Sequence, residues 1–212
     1  MFNPLRNKRA HTAALLAATT LVLAPVLAGC ADSQSADEPA ARHTAANGDI
    51  YNDADVTFAQ QMIPHHAQAI EMADMTRGRE LNPEVAALAD QIMAAQTLEI
   101  EAMTAWLTAW AEEVPETSRD HANAHGDGQM PDMSDEMPGM MSPEEIDVLE
   151  SAPEGEFQAM WLEMMVEHHE GAIEMAQAEQ RDGEFDEAVA MGEEIQTGQT
   201  VEVDHMKELL GS

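Results

Sequence analysis

The sequence contains a single cysteine, Cys30, among its 212 residues. A disulfide within the chain is therefore excluded, and packing has to stabilise the fold even where the compartment would permit disulfides. A metal site built from thiolates is excluded as well. Any bound metal would be held by histidine, methionine and carboxylate side chains.

Basic residues are also scarce, because 9 Lys and Arg stand against 41 Asp and Glu and give a formal net charge of −32. This charge argues against a nucleic-acid-binding protein, which has to neutralise phosphates. It argues equally against adhesion of the protein surface to an anionic bilayer. It favours cations, weakly and nonspecifically, and a solvated acidic surface that keeps the protein soluble explains most of these charges.

Sequence signatures of enzymes are missing too. The chain has no glycine-rich phosphate loop, no dinucleotide fingerprint and no Ser or Cys nucleophile in a catalytic context. A ferritin-like di-iron centre requires a Glu-x-x-His pattern on two helices. Glu202 and His205 form that pattern, but the equivalent Glu99 has Ala102 three residues later, where the pattern requires His. We therefore expect no enzymatic activity, and a di-metal oxidase stays only as a third alternative.

The first 30 residues have the pattern of a bacterial export signal. A basic segment is followed by an apolar stretch, residues 13–27, that is too short to span a membrane, and then by Leu27-Ala28-Gly29-Cys30. The last four residues resemble a lipobox, in which Cys30 becomes the lipidated first residue, for example with palmitate. The alternative is an ordinary cleaved signal with an incidental cysteine. Residues 31–50, with little apolar content, predict a disordered tether between lipid and domain.

The remainder of the chain is an internal repeat with an offset of 103 residues. Residues 62–73 read MIPHHAQAIEMA and residues 165–176 read MVEHHEGAIEMA, and both His-His pairs align without a gap. The register continues from 92–107 into 195–210. Such a repeat is typical of one supersecondary unit used twice.

Each copy of the repeat predicts an antiparallel helical hairpin. Hairpin one covers residues 53–110, with one helix over 53–79 and a second that begins after Asn82-Pro83. Hairpin two covers residues 153–210. A crossover over 112–152 joins them, and a short helix is predicted to begin within it near Ser142-Pro143. The sequence therefore predicts an all-α four-helix bundle domain, residues 51–212, with two duplicated antiparallel hairpins and one long crossover.

Successive residues of a helix are rotated by 100°, and on this basis several polar residues of the repeat fall on the helix faces that must pack against other helices. Because a buried unpaired polar group costs about 1–3 kcal/mol, they need partners, either one another or an ion. These residues are His65, His66, Gln96 and Glu99 with their equivalents His168, His169, Gln199 and Glu202. Pro64 stands opposite Glu167, so the two halves are not equivalent.

Methionines share these faces, and thioether with imidazole is a soft ligand set that suits Cu(I). The alternatives are plain core packing for the methionines and a buried hydrogen-bond network of His, Gln and Glu. The candidate metal ligands on the bundle are Met62, His65, His66, Met72, Glu99, Met103, Met165, His168, His169, Met175, Glu202 and Met206.

The crossover gives a separate signal, since methionine in a hydrophilic Gly/Pro/Asp-rich segment is not explained by a core. Short spacings let a flexible chain wrap thioethers around one ion, and the alternative is a linker that is rich in methionine without function. The candidate loop ligands are His121, His125, Met130, Met133, Met137, Met140 and Met141.

Taken together, QMIPHH at 61–66, AIEMA at 69–73, MPGMM at 137–141 and HHEGAIEMA at 168–176 resemble the signature of the bacterial domain-of-unknown-function family 305 over about residues 50–210. The resemblance implies a ferritin-like four-helix bundle in an exported or membrane-anchored protein. Some members are CopM-type copper-binding proteins linked to copper tolerance. At the positions that match the family's motif, the resemblance implies copper binding by Met62, His65, His66, Met72, Met165, His168, His169 and Met175.

We therefore expect a lipid-anchored protein on the extracytoplasmic face of the cell membrane that binds metal. Copper as Cu(I) is the expected ion, for sequestration or hand-off in metal tolerance. The alternative is a non-catalytic structural or interaction module of the cell envelope, whose His/Gln/Glu seam is a buried hydrogen-bond network. The two readings differ in whether removal of metal changes stability.

Overall fold

The computed structural model describes residues 41–117 and 137–211. Over these residues the chain forms two strands and five helices, numbered here in chain order: β1 Arg42–Thr44, β2 Ile50–Asn52, α1 Asp53–Asp74, α2 Pro83–Trp110, α3 Pro143–Ser151, α4 Glu154–Asp182 and α5 Asp186–Leu210. The predicted all-α four-helix bundle is confirmed. A two-stranded antiparallel hairpin, β1 with β2, is added to it.

The four long helices pack as two hairpins, α1 with α2 and α4 with α5. The hairpins meet mainly where α1 contacts α4, and α2 and α5 approach each other more loosely. The apolar core forms two clusters, one around Trp161 and Met72 and one around Phe58 and Trp110. The Trp161 indole N–H donates to the Met72 carbonyl at 2.9 Å and thereby joins α4 to α1. Within the described ranges, none of the helices has both the length and the apolarity to cross a membrane.

Helix starts follow the capping residues in the sequence. The Asn82 side chain accepts from the Glu84 N–H, and Pro83 occupies the first turn of α2, where a missing N–H costs nothing. Ser142 and Glu145 form a capping box that opens α3. The short helix predicted within the crossover is therefore present.

The first helix ends at Asp74, five residues before the expected end at residue 79. Gly78 has φ of +82°, a left-handed conformation that glycine adopts without steric cost and that helices do not contain. The chain turns there, and Met75 caps α1. Pro64 lies within α1, and the helix continues through it.

The prediction of a disordered tether over 31–50 is wrong where the chain is described. The strands β1 and β2 pair in register, with Arg42 opposite Asn52. The β2 residue Tyr51 is buried and stacks on Trp110 with ring centroids 4.3 Å apart. This contact joins residues 59 positions apart, so the composition of the segment alone does not reveal it. Residues 31–40 lie outside the described residues.

A buried carboxyl pair holds the α4–α5 turn against the start of α1. Asp55 is fully buried and accepts from the backbone N–H groups of Asn52, Glu184 and Phe185. Glu179 lies beside it, and burial, together with the hydrogen bond to Asp55, raises the pKa of Glu179 to about 9. At neutral pH Glu179 is therefore protonated and can donate to Asp55, which is why its oxygens find no ordinary donor among the described residues.

Candidate metal centre

Four histidines meet in the middle of the bundle, where α1 crosses α4. His65, His66, His168 and His169 are all completely buried. The rings of His65 and His168 approach to 3.8 Å between centroids. Neighbouring rings on one helix lie farther apart, 6.4 Å in α1 and 6.3 Å in α4. His65 and His168 are equivalent in the repeat, so this contact joins the same position of the two halves.

Each outer histidine is paired with a carboxylate from the other helix of its hairpin. His66 Nε2 lies 2.7 Å from Glu99 Oε2, and His169 Nε2 lies 2.8 Å from Glu202 Oε2. The imidazole N–H donates in the second pair, because a carboxylate oxygen accepts. The first pair is as close but less well aligned for a hydrogen bond. The repeat thus builds the same His-Glu pair twice.

Two buried amides and the same two carboxylates line a small cavity between α2 and α5. The cavity has a volume of about 70 Å³, and its lining includes equivalent residues of the two halves: Ile92 and Ile195, Ala95 and Gly198, Gln96 and Gln199, Glu99 and Glu202. Gln96 and Gln199 are only 3% and 5% exposed. Both Gln96 side-chain polar atoms and Gln199 Oε1 lack a hydrogen-bond partner within the described residues.

The two central histidines are neutral. Burial, reinforced by the neighbouring His66, lowers the pKa of His65 to about 3. Burial and the nearby His65 lower the pKa of His168 well below its usual value. His65 Nε2 lies 3.1 Å from the Pro138 carbonyl, so this nitrogen donates and Nδ1 keeps its lone pair. Neither ring nitrogen of His168 makes a well-aligned hydrogen bond among the described residues, and the His65 backbone supplies only a minor polar interaction. A neutral imidazole with a free lone pair is the form that binds a metal ion.

The segment 137–141 of the crossover packs directly over the central histidines. Besides accepting from His65, it is held by Gln68, whose side-chain amide donates to the Met141 carbonyl and accepts from the Met141 N–H, both at 2.8 Å. On the α4 side a Cβ added to Gly171 would lie 2.0 Å from the Pro138 carbonyl oxygen. Gly139 has φ of +75°, and a Cβ added to it would lie 2.7 Å from the Glu167 carbonyl oxygen in α4. The absence of both Cβ atoms lets the crossover reach the centre.

The methionines predicted as ligands are buried in the apolar clusters. Met72, Met165, Met206 and the crossover residue Met141 belong to one cluster, and Met62, Met103 and Met175 belong to the other. Met137 is buried and Met140 is half-buried. These positions agree with core packing for most of them. The segment that contains Met137, Met140 and Met141 contacts His65 through the Pro138 carbonyl. His121, His125, Met130, Met133 and Cys30 lie outside the described residues.

Over residues 41–117 and 137–211, no group of three or more His, Cys, Asp or Glu side chains is arranged to hold a metal ion. A metal at the centre would therefore need methionine sulfur or amide oxygen in its ligand set. Sequence reasoning missed Gln68, Gly139 and Gly171, which place the crossover. The sequence held a signal for two of them. Gln68 and Gly171 occupy the same position of the repeat, yet one has a long polar side chain and the other has no side chain.

The fold and the centre define a class of protein, a duplicated four-helix bundle with two adjacent-histidine pairs buried at its middle. The chain belongs to the family described as a domain of unknown function, DUF305, which it matches over residues 55–210. No curated protein matches the chain.

Three solved structures illustrate the likeness. The protein is 29% identical to a putative secreted DUF305 protein from Streptomyces coelicolor, with a TM-score of 0.63, over 74% of this chain and 92% of that one. It is 25% identical to a DUF305 fragment from Deinococcus radiodurans, with a TM-score of 0.65, over 80% and 99%. It is 28% identical to CopM in its Cu(II)-bound form, with a TM-score of 0.59, over 74% and 95%. CopM has also been crystallised with Cu(I) and with silver.

Proposed function

We propose that this protein binds copper as Cu(I) on the extracytoplasmic side of the cell membrane, for sequestration or hand-off. The observation that carries the proposal is the pair His65 and His168, which are buried, neutral and supplied with unpartnered ring nitrogens. Leaving such nitrogens unpaired costs about 1–3 kcal/mol each, and a metal ion would satisfy them. The likeness to CopM, crystallised with copper and silver, supports the choice of a soft ion.

The donor chemistry of the residues fits Cu(I). His65 and His168 would supply imidazole, and the methionines at 137, 140 and 141, in the segment whose Pro138 carbonyl contacts His65, would supply thioether. Imidazole with thioether is a soft ligand set that does not depend on a thiol. The methionines of the four long helices serve packing in this proposal, and His66 and His169 are oriented by Glu99 and Glu202.

Export and a lipid anchor on Cys30 complete the proposal and rest on the sequence of residues 1–30. No catalytic step is assigned. Labelling of cells with a radioactive fatty acid tests the anchor, because wild type should incorporate the label and Cys30→Ala should not. Label found in both would assign the attachment to another residue.

Copper binding is tested by anaerobic titration of the purified protein with Cu(I) against a competing chromophoric chelator. The test variant is His65→Ala/His168→Ala, and His43→Ala is the control, because His43 lies on the surface strand β1 and contacts Asp53 instead of the centre. We expect the central double variant to lose competition and the control to keep it. Circular dichroism establishes that each variant is folded.

A second candidate function has its own observation, the two His-Glu pairs at 2.7 and 2.8 Å. In a structural or interaction module these pairs would fix the register of the helices and no ion would be needed. That function predicts that wild type does not compete for Cu(I). It also predicts the same melting temperature with and without a chelator.

A further inference from the structure

The cavity between α2 and α5 lies outside the soft histidine and methionine centre and has a different chemistry. Its described lining holds three carboxylates, Glu99, Glu194 and Glu202, two amides, and no basic side chain. The remaining lining is small or apolar. Oxygen atoms therefore dominate the polar surface of this cavity.

The two amides point to an occupant. Gln96 and Gln199 are nine-tenths or more buried, line the cavity and have unpartnered side-chain oxygens among the described residues. Buried polar groups in proteins are otherwise almost always paired. A cavity of about 70 Å³ has room for one ion with a water molecule or two. The carboxylates around it select against an anion.

Two of the three carboxylates of the cavity, Glu99 and Glu202, also contact a buried histidine. Glu99 contacts His66 and Glu202 contacts His169 through one oxygen, Oε2. A carboxylate that is oriented by an imidazole on one oxygen keeps the other for a cation, and such supporting contacts raise metal affinity in known sites. Carboxylate and amide oxygens are the ligands of hard divalent cations, in contrast to the thioethers of the copper proposal.

We propose that this cavity binds one divalent cation through oxygen ligands, with Glu99 and Glu202 as charged ligands, Gln96 and Gln199 as amide ligands and Glu194 at the mouth. The site is separate from the copper centre and does not depend on it. The carboxylates alone do not form a preassembled cluster within the described residues, so the amide oxygens are essential to the site. The ion would also link hairpin one to hairpin two through α2 and α5, which contact each other much less than α1 and α4 do.

Mn²⁺ is the probe, because electron paramagnetic resonance measures the concentration of the free ion directly. The test variant is Gln96→Leu/Gln199→Leu, which removes the amide oxygens at nearly constant volume and adds no copper ligand. We expect wild type to hold one Mn²⁺ above the weak binding of its acidic surface. We expect the double variant to bind that ion at least about tenfold more weakly. Without metal the variant should melt no lower than wild type, since it removes unpaired buried groups.

A matched pair separates this site from the general acidity of the chain. Glu194→Gln and Glu193→Gln make the same charge change at adjacent exposed positions, and only Glu194 lines the cavity. Of these two variants, only Glu194→Gln should bind Mn²⁺ more weakly than wild type. Equal weak binding in wild type and all variants would overturn the proposal.

The Cu(I) titration of the same glutamine variant keeps the two proposals distinct. Unchanged Cu(I) competition together with lost Mn²⁺ binding supports a separate oxygen site. Loss of both ions in the glutamine variant would show one shared site and contradict the inference. If wild type does not bind Cu(I) at all, the copper proposal fails, and the Mn²⁺ result still decides this one.

Discussion

The two hairpins carry the same buried His-Glu pair but contact the crossover segment 137–141 differently. The comparison shows which contacts of the centre follow from the duplication and which do not. Both copies place an adjacent-histidine pair on the inner face and pair its second histidine with a carboxylate, at 2.7 Å in one half and 2.8 Å in the other. At the repeat position that meets the crossover, hairpin one has Gln68 and hairpin two has Gly171. The first binds the crossover and the second makes room for it.

The same asymmetry reaches the central histidines. His65 donates to the Pro138 carbonyl, whereas neither His168 ring nitrogen makes a well-aligned hydrogen bond among the described residues. An ion bound at the centre would therefore meet a half-satisfied imidazole from one hairpin and an unsatisfied one from the other. The symmetric framework supplies the rings, and the asymmetric crossover makes the two rings chemically different.

The largest expected effect is acid destabilisation through these two rings. Their pKa values are lowered in the folded protein, to about 3 for His65, so between pH 6.5 and that value the unfolded chain binds more protons. Stability should fall as pH falls below 6.5, by up to about 1.4 kcal/mol per pH unit for each histidine. Urea unfolding between pH 4.5 and 7 measures this slope.

His168→Gln sharpens the comparison of the two rings. It should make the acid slope shallower by about half, because one titrating group is removed. Met160→Leu, which alters packing against the core in the same helix and removes no titrating group, is the control and should leave the slope as in wild type. An unchanged slope in His168→Gln would mean that the central rings do not control acid stability.

The carboxyl pair at the α4–α5 turn predicts the opposite pH dependence. Glu179 has a pKa raised to about 9 in the folded protein, so its protonated form is favoured by folding. Its contribution is fully present below its ordinary pKa of 4.5 and is lost as pH rises towards 9. Glu179→Gln keeps a neutral hydrogen-bonding group and should flatten the alkaline decline by up to about 1.4 kcal/mol per pH unit.

Urea unfolding between pH 6 and 9 measures this effect, and Glu174→Gln is its control because Glu174 is exposed on the same helix. Equal alkaline slopes in the two variants would contradict the assignment to Glu179.

Gly171→Ala tests the difference between the hairpins by filling the space that the crossover needs. The new Cβ would meet the Pro138 carbonyl, so the crossover has to move and the His65 contact is disturbed. We expect a loss of about 2 kcal/mol in the free energy of unfolding, in the range of overpacked cores. Gly155→Ala in the same helix meets no atom within 4 Å and should be neutral or stabilise by a few tenths of a kcal/mol. Similar values for both variants would show that the close approach is unimportant.

Much of this centre could be predicted from the sequence, for a physical reason. A gapless repeat forces equivalent residues into equivalent contacts, so His66, Glu99, His169 and Glu202 could be assigned to packing faces before their pairing was seen. Local capping residues such as Asn82 and Ser142 likewise marked helix starts. What escaped prediction depends on long-range contacts, such as Tyr51 on Trp110 or Pro138 on His65, which no local pattern encodes. The methionine pattern did not distinguish ligands from core, because packing and coordination use the same helix face.

Glu99→Gln and Glu202→Gln test whether the two hairpins are equivalent in their framework. Each change weakens the partner of a buried imidazole and should cost about 1–2 kcal/mol of stability. The duplication predicts equal losses within about 0.5 kcal/mol, as measured by urea unfolding at pH 7 without added metal. A clear difference between the two would show that the asymmetry of the crossover extends to the outer pairs.

The smallest stability effect, and the most direct test of the crossover as a ligand, comes from Met140→Leu. Leucine replaces methionine at similar volume, so stability should change by less than about 1.5 kcal/mol. Cu(I) affinity should fall by about tenfold or more, a loss of about 1.4 kcal/mol, because one thioether is removed. Met160→Leu in α4 packs against the core and should leave Cu(I) competition unchanged. If both variants compete for Cu(I) as wild type does, the half-buried crossover methionine is packing alone, and the ion would be held by the histidines without it.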